Sequence, residues 1–171
     1  MERSTSPVLR VLCVDDHKDS ADSLAILLEL AGFEACVCYD GPSALARLQQ
    51  FHPDACIIDL NMPGMDGDEL GRRIRAILDG RAITLVAITA MGDESARART
   101  SAAGFDLHLL KPVDPDRLAI VLADIVILRG DTSWMGDETL DESASSMKTV
   151  LGRRPEEIFT TRGQYHVPRN V

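Results

Sequence analysis

Five polar residues that lie far apart in this chain could share one chemical site. They are three carboxylates, a hydroxyl and an ammonium: Asp15, Asp16, Asp59, Thr89 and Lys111. Each stands at the end of a short apolar run, or just after one, and each run is typical of a buried β-strand. In an open parallel α/β sheet the carboxyl ends of the strands form one edge, and ligands bind there. We therefore expect these side chains to meet, with the groups needed to bind Mg²⁺ and to accept a phosphoryl group.

The three carboxylates favour a bound cation. Like charges a few ångströms apart must either protonate or bind a positive group. Mg²⁺ prefers oxygen ligands, keeps several waters and often uses one or two carboxylates with a phosphate oxygen. Lys111 could pair with Asp59 at rest and with a phosphoryl oxygen afterwards, while Thr89 could donate a hydrogen bond to the same group. For Asp15 and Asp16 taken alone, a solvated acidic loop is the alternative.

Strands and helices alternate up to about residue 128. The predicted strands are Val8–Val14, Glu34–Tyr39, Cys56–Leu60, Ile83–Thr89 and Leu107–Leu110. Asp19 or Ser20 is expected to cap the first helix, and Pro42 to begin the second. The series predicts an α/β fold: a (βα)5 three-layer sandwich with a five-stranded parallel sheet. We expect an extension over residues 1–6, a domain over 7–128 and a flexible or partner-dependent tail over 129–171.

Bulk composition narrows the class of protein. The formal net charge of −9 argues against direct binding of nucleic acid. The first residues carry no apolar segment typical of a signal peptide, and the longest apolar stretch is too short to span a bilayer. A soluble cytoplasmic protein without membrane contact is the expectation. The four cysteines lack a second pair at metal-ligand spacing and are predicted to be buried free thiols: Cys13, Cys36, Cys38 and Cys56.

Four segments carry a resemblance to a known family. They occur in order and at characteristic spacings: Val11–Asp16, Ile57–Gly67, Ala87–Ala90 and Leu110–Pro112. Over about residues 7–128 the chain resembles the receiver domain of bacterial two-component response regulators, of the chemotaxis-Y type. This resemblance implies a flavodoxin-like fold with the strand order 2-1-3-4-5. Such a domain is a phosphorelay module that catalyses only its own phosphorylation and dephosphorylation, and it is not an enzyme acting on a separate metabolite.

The resemblance implies a role for each acidic residue. Asp59 is the expected phosphoacceptor, taking a phosphoryl group from a phosphohistidine of a histidine kinase or a histidine phosphotransfer protein. Asp15, Asp16, Asp59 and the backbone carbonyl of Asn61 are the expected ligands of Mg²⁺, with Mn²⁺ able to substitute.

The resemblance also implies contacts to the transferred group. Lys111, Thr89 and Ala90 are expected to contact the phosphoryl oxygens, and the Lys111–Pro112 bond is expected to be cis. The family usually carries Tyr or Phe at the position of His108, where the ring moves inward when the threonine engages phosphate. We expect Thr89 and His108 to form the switch; the alternative is a partly exposed strand residue at 108 that does not move.

Two further positions are expected to tune the lifetime of the phosphoryl group. Asn61 and Met91 lie two residues after Asp59 and Thr89, and the family uses these positions to control access of the hydrolytic water. A bulky Met91 is expected to shield the acyl phosphate.

The last helix carries apolar residues on two sides. One side is expected to face the sheet: Leu118, Leu122 and Ile125. Ile120 and Ile127 fall roughly opposite, where an amphipathic helix would be polar. We expect these two to belong to an output surface that contacts a homodimer partner, a kinase domain or the tail. No DNA-binding output domain is recognisable, so signalling through protein contacts is predicted.

Two other protein classes share this kind of sheet. An aspartyl-phosphate hydrolase of the haloacid-dehalogenase type needs a second Asp two residues after its nucleophile, where this chain has Asn61. A flavodoxin-like flavin binder needs a Ser/Thr/Gly-rich loop after the first strand, where this chain has Asp15 and Asp16. Both classes are therefore disfavoured.

Overall fold

The structure is a computed structural model that describes residues 8–78, 81–90, 94–114, 117–118, 121–122 and 125. Strands and helices alternate in the order β1 Arg10–Val14, α1 Lys18–Leu30, β2 Glu34–Cys38, α2 Gly41–Phe51, β3 Ala55–Asp59, α3 Gly67–Leu78, β4 Thr84–Thr89, α4 Glu94–Ala102 and β5 Leu107–Leu110. Residues 117–118, 121–122 and 125 are also helical, and we call this last helix α5.

The five strands form one parallel sheet in the order β2-β1-β3-β4-β5. The predicted fold class and strand order are therefore confirmed. The strand ends also agree with the sequence prediction within one or two residues. For example, β1 begins at Arg10 instead of Val8, and β3 ends at Asp59 instead of Leu60.

Helices cover both faces of the sheet, and two apolar clusters fill the space between the layers. Alternate side chains of β1 enter opposite clusters, with Val11 on the side of α1 and α5 and Leu12 on the side of α2 and α3. Because both faces of β1, β3 and β4 are buried, the middle of each strand is apolar and does not alternate, and polar residues stand only at the strand ends. The three residues of α5 predicted to face the sheet are indeed buried: Leu118, Leu122 and Ile125.

The start of α1 differs from the sequence prediction. The residue before the helix is His17, with extended backbone angles and no side-chain hydrogen bond to the first turn. The backbone amides of Ser20 and Ala21 bond to the His17 carbonyl, so Asp19 and Ser20 lie inside the first turn and do not cap it. The prediction failed because the chain turns into the helix directly after the acidic pair. The second helix begins as predicted, with Pro42 in its first turn and the Asp40 side chain accepting from Ser43.

Other expectations concern buried thiols, membrane spans and residues outside the described range. All four cysteines are free, but Cys36 is only partly buried, on the edge strand β2, so the prediction of buried thiols is wrong for Cys36. Burial raises the pKa of the other three thiols, those of Cys13, Cys38 and Cys56, which suits a role in packing. Within the described residues no helix has both the length and the hydropathy of a membrane span. Residues 1–6, Met91, Ile120, Ile127 and the predicted tail lie outside the described residues, so the predictions made for them stay predictions.

The loop between β3 and α3 packs directly on the end of β3. The amide of Leu60 donates to the Ile88 carbonyl at 3.0 Å, and the amide of Gly67 donates to the Leu60 carbonyl at 3.0 Å. A Cβ added at Gly67 would overlap the Asp59 carbonyl oxygen and lie 2.7 Å from Leu60 Cα. A glycine at this position therefore lets the helix begin close to Asp59.

We predict that Gly67→Ala destabilises the fold by about 2 kcal/mol, because the new methyl group overlaps backbone that cannot move freely. Gly64→Asn is the matched control: nothing lies near a Cβ there, and asparagine tolerates the positive φ of 82°. Urea unfolding of both variants measures the difference. Equal stability of the two variants would contradict the predicted overlap.

Candidate functional site

The strand order brings four of the five singled-out residues to neighbouring strand ends. Asp15 follows β1, Asp59 ends β3, Thr89 ends β4 and Lys111 follows β5. The amide of Lys111 donates to the Thr89 carbonyl at 2.9 Å, which continues the β4–β5 pairing past the end of β5. The predicted meeting of these residues at the carboxyl edge of the sheet is confirmed for the described strands.

The Lys111 ammonium lies between two buried carboxylates. Its Nζ is 2.7 Å from Asp59 Oδ2 and 2.9 Å from Asp15 Oδ2. Asp59 is 3% exposed and Asp15 is 4% exposed. Burial by itself would lower the pKa of Lys111, but the hydrogen bonds to Asp59 and then Asp15 outweigh it, and the pKa is raised. The Asp59 contact was expected from the sequence; the Asp15 contact was not.

Backbone amides bind the second oxygen of each of these carboxylates. The amide of Asn61 donates to Asp59 Oδ1 at 3.2 Å, and the amide of His17 donates to Asp15 Oδ1 at 2.9 Å. Each carboxylate is thus oriented by one ammonium and one amide. This arrangement fixes both side chains before any ligand is present.

Asp16 presents an oxygen that is well suited to a cation. Its Oδ1 atom is shielded from solvent and has no hydrogen-bond partner among the described residues. The imidazole Nδ1 of His17 lies 3.6 Å away, within ion-pair range if the ring is protonated but too far for a hydrogen bond. Asp15, Asp16 and His17 each offer one ligand atom within 4.8 Å of the others. The donor set fits a divalent cation, although the sequence prediction named Asp59 and Asn61 in place of His17.

The remaining predicted contacts surround this centre. Thr89 is 2% exposed, whereas Ala90 and the Asn61 side chain are exposed. The sequence predicted the phosphoryl contact of Thr89, and the resemblance added Ala90; both contacts stay predictions.

His108 is held against helix α4 by a contact that the sequence did not predict. Its half-buried ring lies on β5, with Nδ1 3.2 Å from the Thr100 hydroxyl oxygen. That hydroxyl also lies 3.0 Å from the carbonyls of Ala96 and Arg97, so it can donate to the helix while accepting from the ring. Burial, followed by the nearby Arg97, lowers the pKa of His108. The imidazole is therefore neutral near pH 7, with Nδ1 carrying the proton if Thr100 donates to its own helix.

A second polar pair fastens the same helix. The Arg99 Nε of α4 donates to Asp68 Oδ2 at 2.9 Å, and Asp68 is buried at the start of α3. Among the described residues of α4 itself, only Thr100 is buried. Two polar contacts thus join helix α4 to β5 and to α3. Sequence reasoning missed both, because its polar composition indicated only an exposed helix.

Comparison with protein families identifies the fold's relatives. The family model described as "Response regulator receiver domain" matches residues 11–123. The sensory transduction protein RegX3 of Mycobacterium bovis is 34% identical over 139 residues, which cover 80% of this chain and 60% of RegX3. The DNA-binding response regulator MtrA of Mycobacterium leprae is 34% identical, with 88% of this chain and 75% of MtrA covered. This chain therefore spans about three-fifths of the length of RegX3.

Solved structures show the same architecture. The chemotaxis protein CheY4 of Vibrio cholerae superimposes with a TM-score of 0.66 at 28% identity, covering 70% of this chain and 99% of CheY4. The matched part is thus one complete domain of that protein.

We predict that Lys111→Met lowers the free energy of unfolding by about 2 kcal/mol, because two buried carboxylates lose their shared cation. Lys18→Met is the control, since Lys18 is an exposed lysine stacked over Tyr39 at 5.3 Å, and we expect it to cost less than about 1 kcal/mol. Adding Asp59→Asn to Lys111→Met should recover stability by removing one unpaired charge. Urea unfolding at pH 7 measures all three, and wild-type stability of Lys111→Met would refute the prediction.

Proposed function

Because this chain belongs to the response regulator receiver domain family, we propose that it accepts a phosphoryl group on Asp59. The donor is a phosphohistidine of a histidine kinase or a histidine phosphotransfer protein. The observation that carries the proposal is the Asp59 carboxylate itself, buried at the end of a central strand with its Oδ2 atom 2.7 Å from the Lys111 ammonium.

The transfer joins an oxygen of Asp59 to phosphorus. An oxygen lone pair forms the new O–P bond, the P–N bond of the phosphohistidine breaks, and its electron pair returns to the donor imidazole, which takes up a proton. Such a transfer needs positioning and charge neutralisation more than covalent help from the protein. Amides and Lys111 already orient Asp59, and Lys111 can exchange one carboxylate oxygen for a phosphoryl oxygen without leaving the site.

Receiver domains generally bind Mg²⁺ in an acidic pocket, and we assign this role to Asp15, Asp16, Asp59 and the Asn61 carbonyl. A bound Mg²⁺ neutralises charge on the transferred group. The shielded Asp16 oxygen has no hydrogen-bond partner among the residues that the structure describes, which supports the assignment, because such an atom is costly unless a cation or water contacts it. Thr89 and Ala90 complete the proposed contacts to the phosphoryl oxygens.

The proposed output is a protein contact. MtrA is named for DNA binding, but the net charge of −9 favours a protein partner for this chain. A contact surface at Ile120 and Ile127, dimerisation through α5 and a lifetime effect of Met91 remain parts of the proposal.

We predict that acetyl phosphate with Mg²⁺ adds the mass of one phosphoryl group to the wild-type chain and none to Asp59→Ala. Asp66→Asn is the matched control, because Asp66 is an exposed carboxylate in the same loop and should leave phosphorylation intact. Removing the metal with EDTA should abolish the product. Intact mass spectrometry measures each case, and a product in Asp59→Ala would overturn the assignment.

We also propose that His108 is the switch residue and that Thr100 keeps it in the resting position. The Thr100 hydroxyl contacts both the His108 ring and two carbonyls of α4, so the ring cannot move inward without releasing that helix contact. Lys111 directly follows β5, the strand that carries His108. A movement of Lys111 can therefore displace His108 through the backbone of that strand. The switch would then exchange a hydrogen bond and would not require protonation, in agreement with the lowered pKa of His108.

We predict that phosphorylation shifts the His108 ring resonances in NMR spectra, and that Thr100→Val moves them partway to the same positions without phosphate. Thr100→Val removes one hydroxyl at nearly constant volume and should lower the free energy of unfolding by about 1 kcal/mol. Ser101→Ala is the control, because it removes an exposed hydroxyl from the same helix. A titration of His108 should give a midpoint below 6.5. Unchanged His108 resonances on phosphorylation would refute the switch.

A further inference from the structure

We propose that His17 supplies an imidazole ligand to the divalent cation of this site and biases the site toward cations that favour nitrogen, such as Co²⁺, over Mg²⁺. The inference rests on the proposed function, because it concerns the same acidic pocket. It assigns a metal-selecting role to a histidine that the predicted set of metal ligands did not include.

The positions of three ligand atoms suit one shared cation. His17 Nδ1 lies 3.6 Å from Asp16 Oδ1 and 3.9 Å from Asp15 Oδ1. With metal–ligand distances of about 2.1 Å, two ligands of one cation lie about 3 to 4 Å apart. A cation between these atoms could therefore contact the imidazole and a carboxylate with little movement of either.

The backbone fixes His17 beside the carboxylates. Its amide donates to Asp15 Oδ1 at 2.9 Å, and its carbonyl accepts from Ser20 and Ala21 at the start of α1. The Cβ of His17 thus has a defined place between the acidic pair and the helix. The neighbouring Lys18 ammonium lies over the Tyr39 ring, 5.3 Å from its centre, and is directed to that contact.

Asp16 gives an independent indication of a ligand at this point. Its Oδ1 atom is shielded from solvent and has no hydrogen-bond partner in the described part of the chain. A carboxylate oxygen removed from water without a partner is costly. His17 Nδ1 lies 3.6 Å from this oxygen, too far for a hydrogen bond but well placed for a shared metal ion.

The chemistry of the imidazole determines which cations would benefit. Carboxylates suit Mg²⁺ and Mn²⁺, whereas imidazole nitrogen suits the later divalent metals of the first transition row. Mg²⁺ also keeps several of its waters and gains little from a nitrogen ligand. The loss of His17 should therefore weaken Co²⁺ binding strongly and Mg²⁺ binding slightly. A His17 that acted as a positive countercharge would do the opposite, since its removal would strengthen the binding of both cations.

The test compares Co²⁺ and Mg²⁺ binding to the untagged full chain by isothermal titration calorimetry. We expect His17→Asn and His17→Gln to weaken Co²⁺ binding by about tenfold or more and Mg²⁺ binding by less than about twofold. His52→Asn is the matched control, because His52 is another exposed histidine and asparagine tolerates its positive φ. This control should bind both cations as the wild type does.

The proton NMR spectrum of the Co²⁺ form gives a direct signature. A coordinated imidazole produces strongly shifted ring resonances, which we expect in the wild type and in His52→Asn but not in the His17 variants. An unchanged ratio of Co²⁺ to Mg²⁺ affinities, absent shifted resonances in the wild type, or tighter binding of both cations by the variants would each overturn the inference. Failure of the wild type to take up a phosphoryl group with Mg²⁺ would overturn the proposed function instead.

Discussion

One ammonium placed between two buried carboxylates is the interaction on which this structure depends. Lys111 bonds to Asp15 after β1 and to Asp59 at the end of β3, although it follows β5 at the far edge of the sheet. Without that cation two negative charges would face each other in a region shielded from water, where their repulsion is strong. The ion pairs therefore hold the ends of β1 and β3 to the residue that follows β5.

The same interaction prepares the site for the proposed phosphoryl transfer. The Asp59 and Asp15 carboxylates are already oriented by Lys111 and by the amides of Asn61 and His17, so the proposed transfer would need little reorganisation. Gly67 adds to this arrangement by letting α3 begin against the backbone of Asp59. A cluster of like charges would be a poor way to stabilise a fold, and its presence at one strand edge supports the proposed phosphoryl transfer.

Two polar contacts join helix α4 to elements that lead to this edge of the sheet. Its contacts to the rest of the fold include the Thr100 hydroxyl on His108 and the Arg99 guanidinium on Asp68. One contact begins on β5, three residues before Lys111, and the other begins on α3, directly after Gly67. Both are polar, so they can exchange partners without opening the apolar core, and a helix held in this way can respond to small changes at the strand ends.

The sequence by itself determined the parallel sheet, the sheet-facing side of α5 and the meeting of Asp59 with Lys111. These features follow from apolar runs, glycine and proline positions and the rule that parallel strands end at one edge, all of which are local or topological. The strand order was implied by the resemblance to receiver domains. Tertiary structure decided that Lys111 also bonds to Asp15 and that His17, directly before α1, lies beside Asp16. It also decided that Thr100 and Arg99 join α4 to β5 and α3. Such pairings depend on where side chains lie in space after the layers have packed, and hydrophobic periodicity carries no information about them.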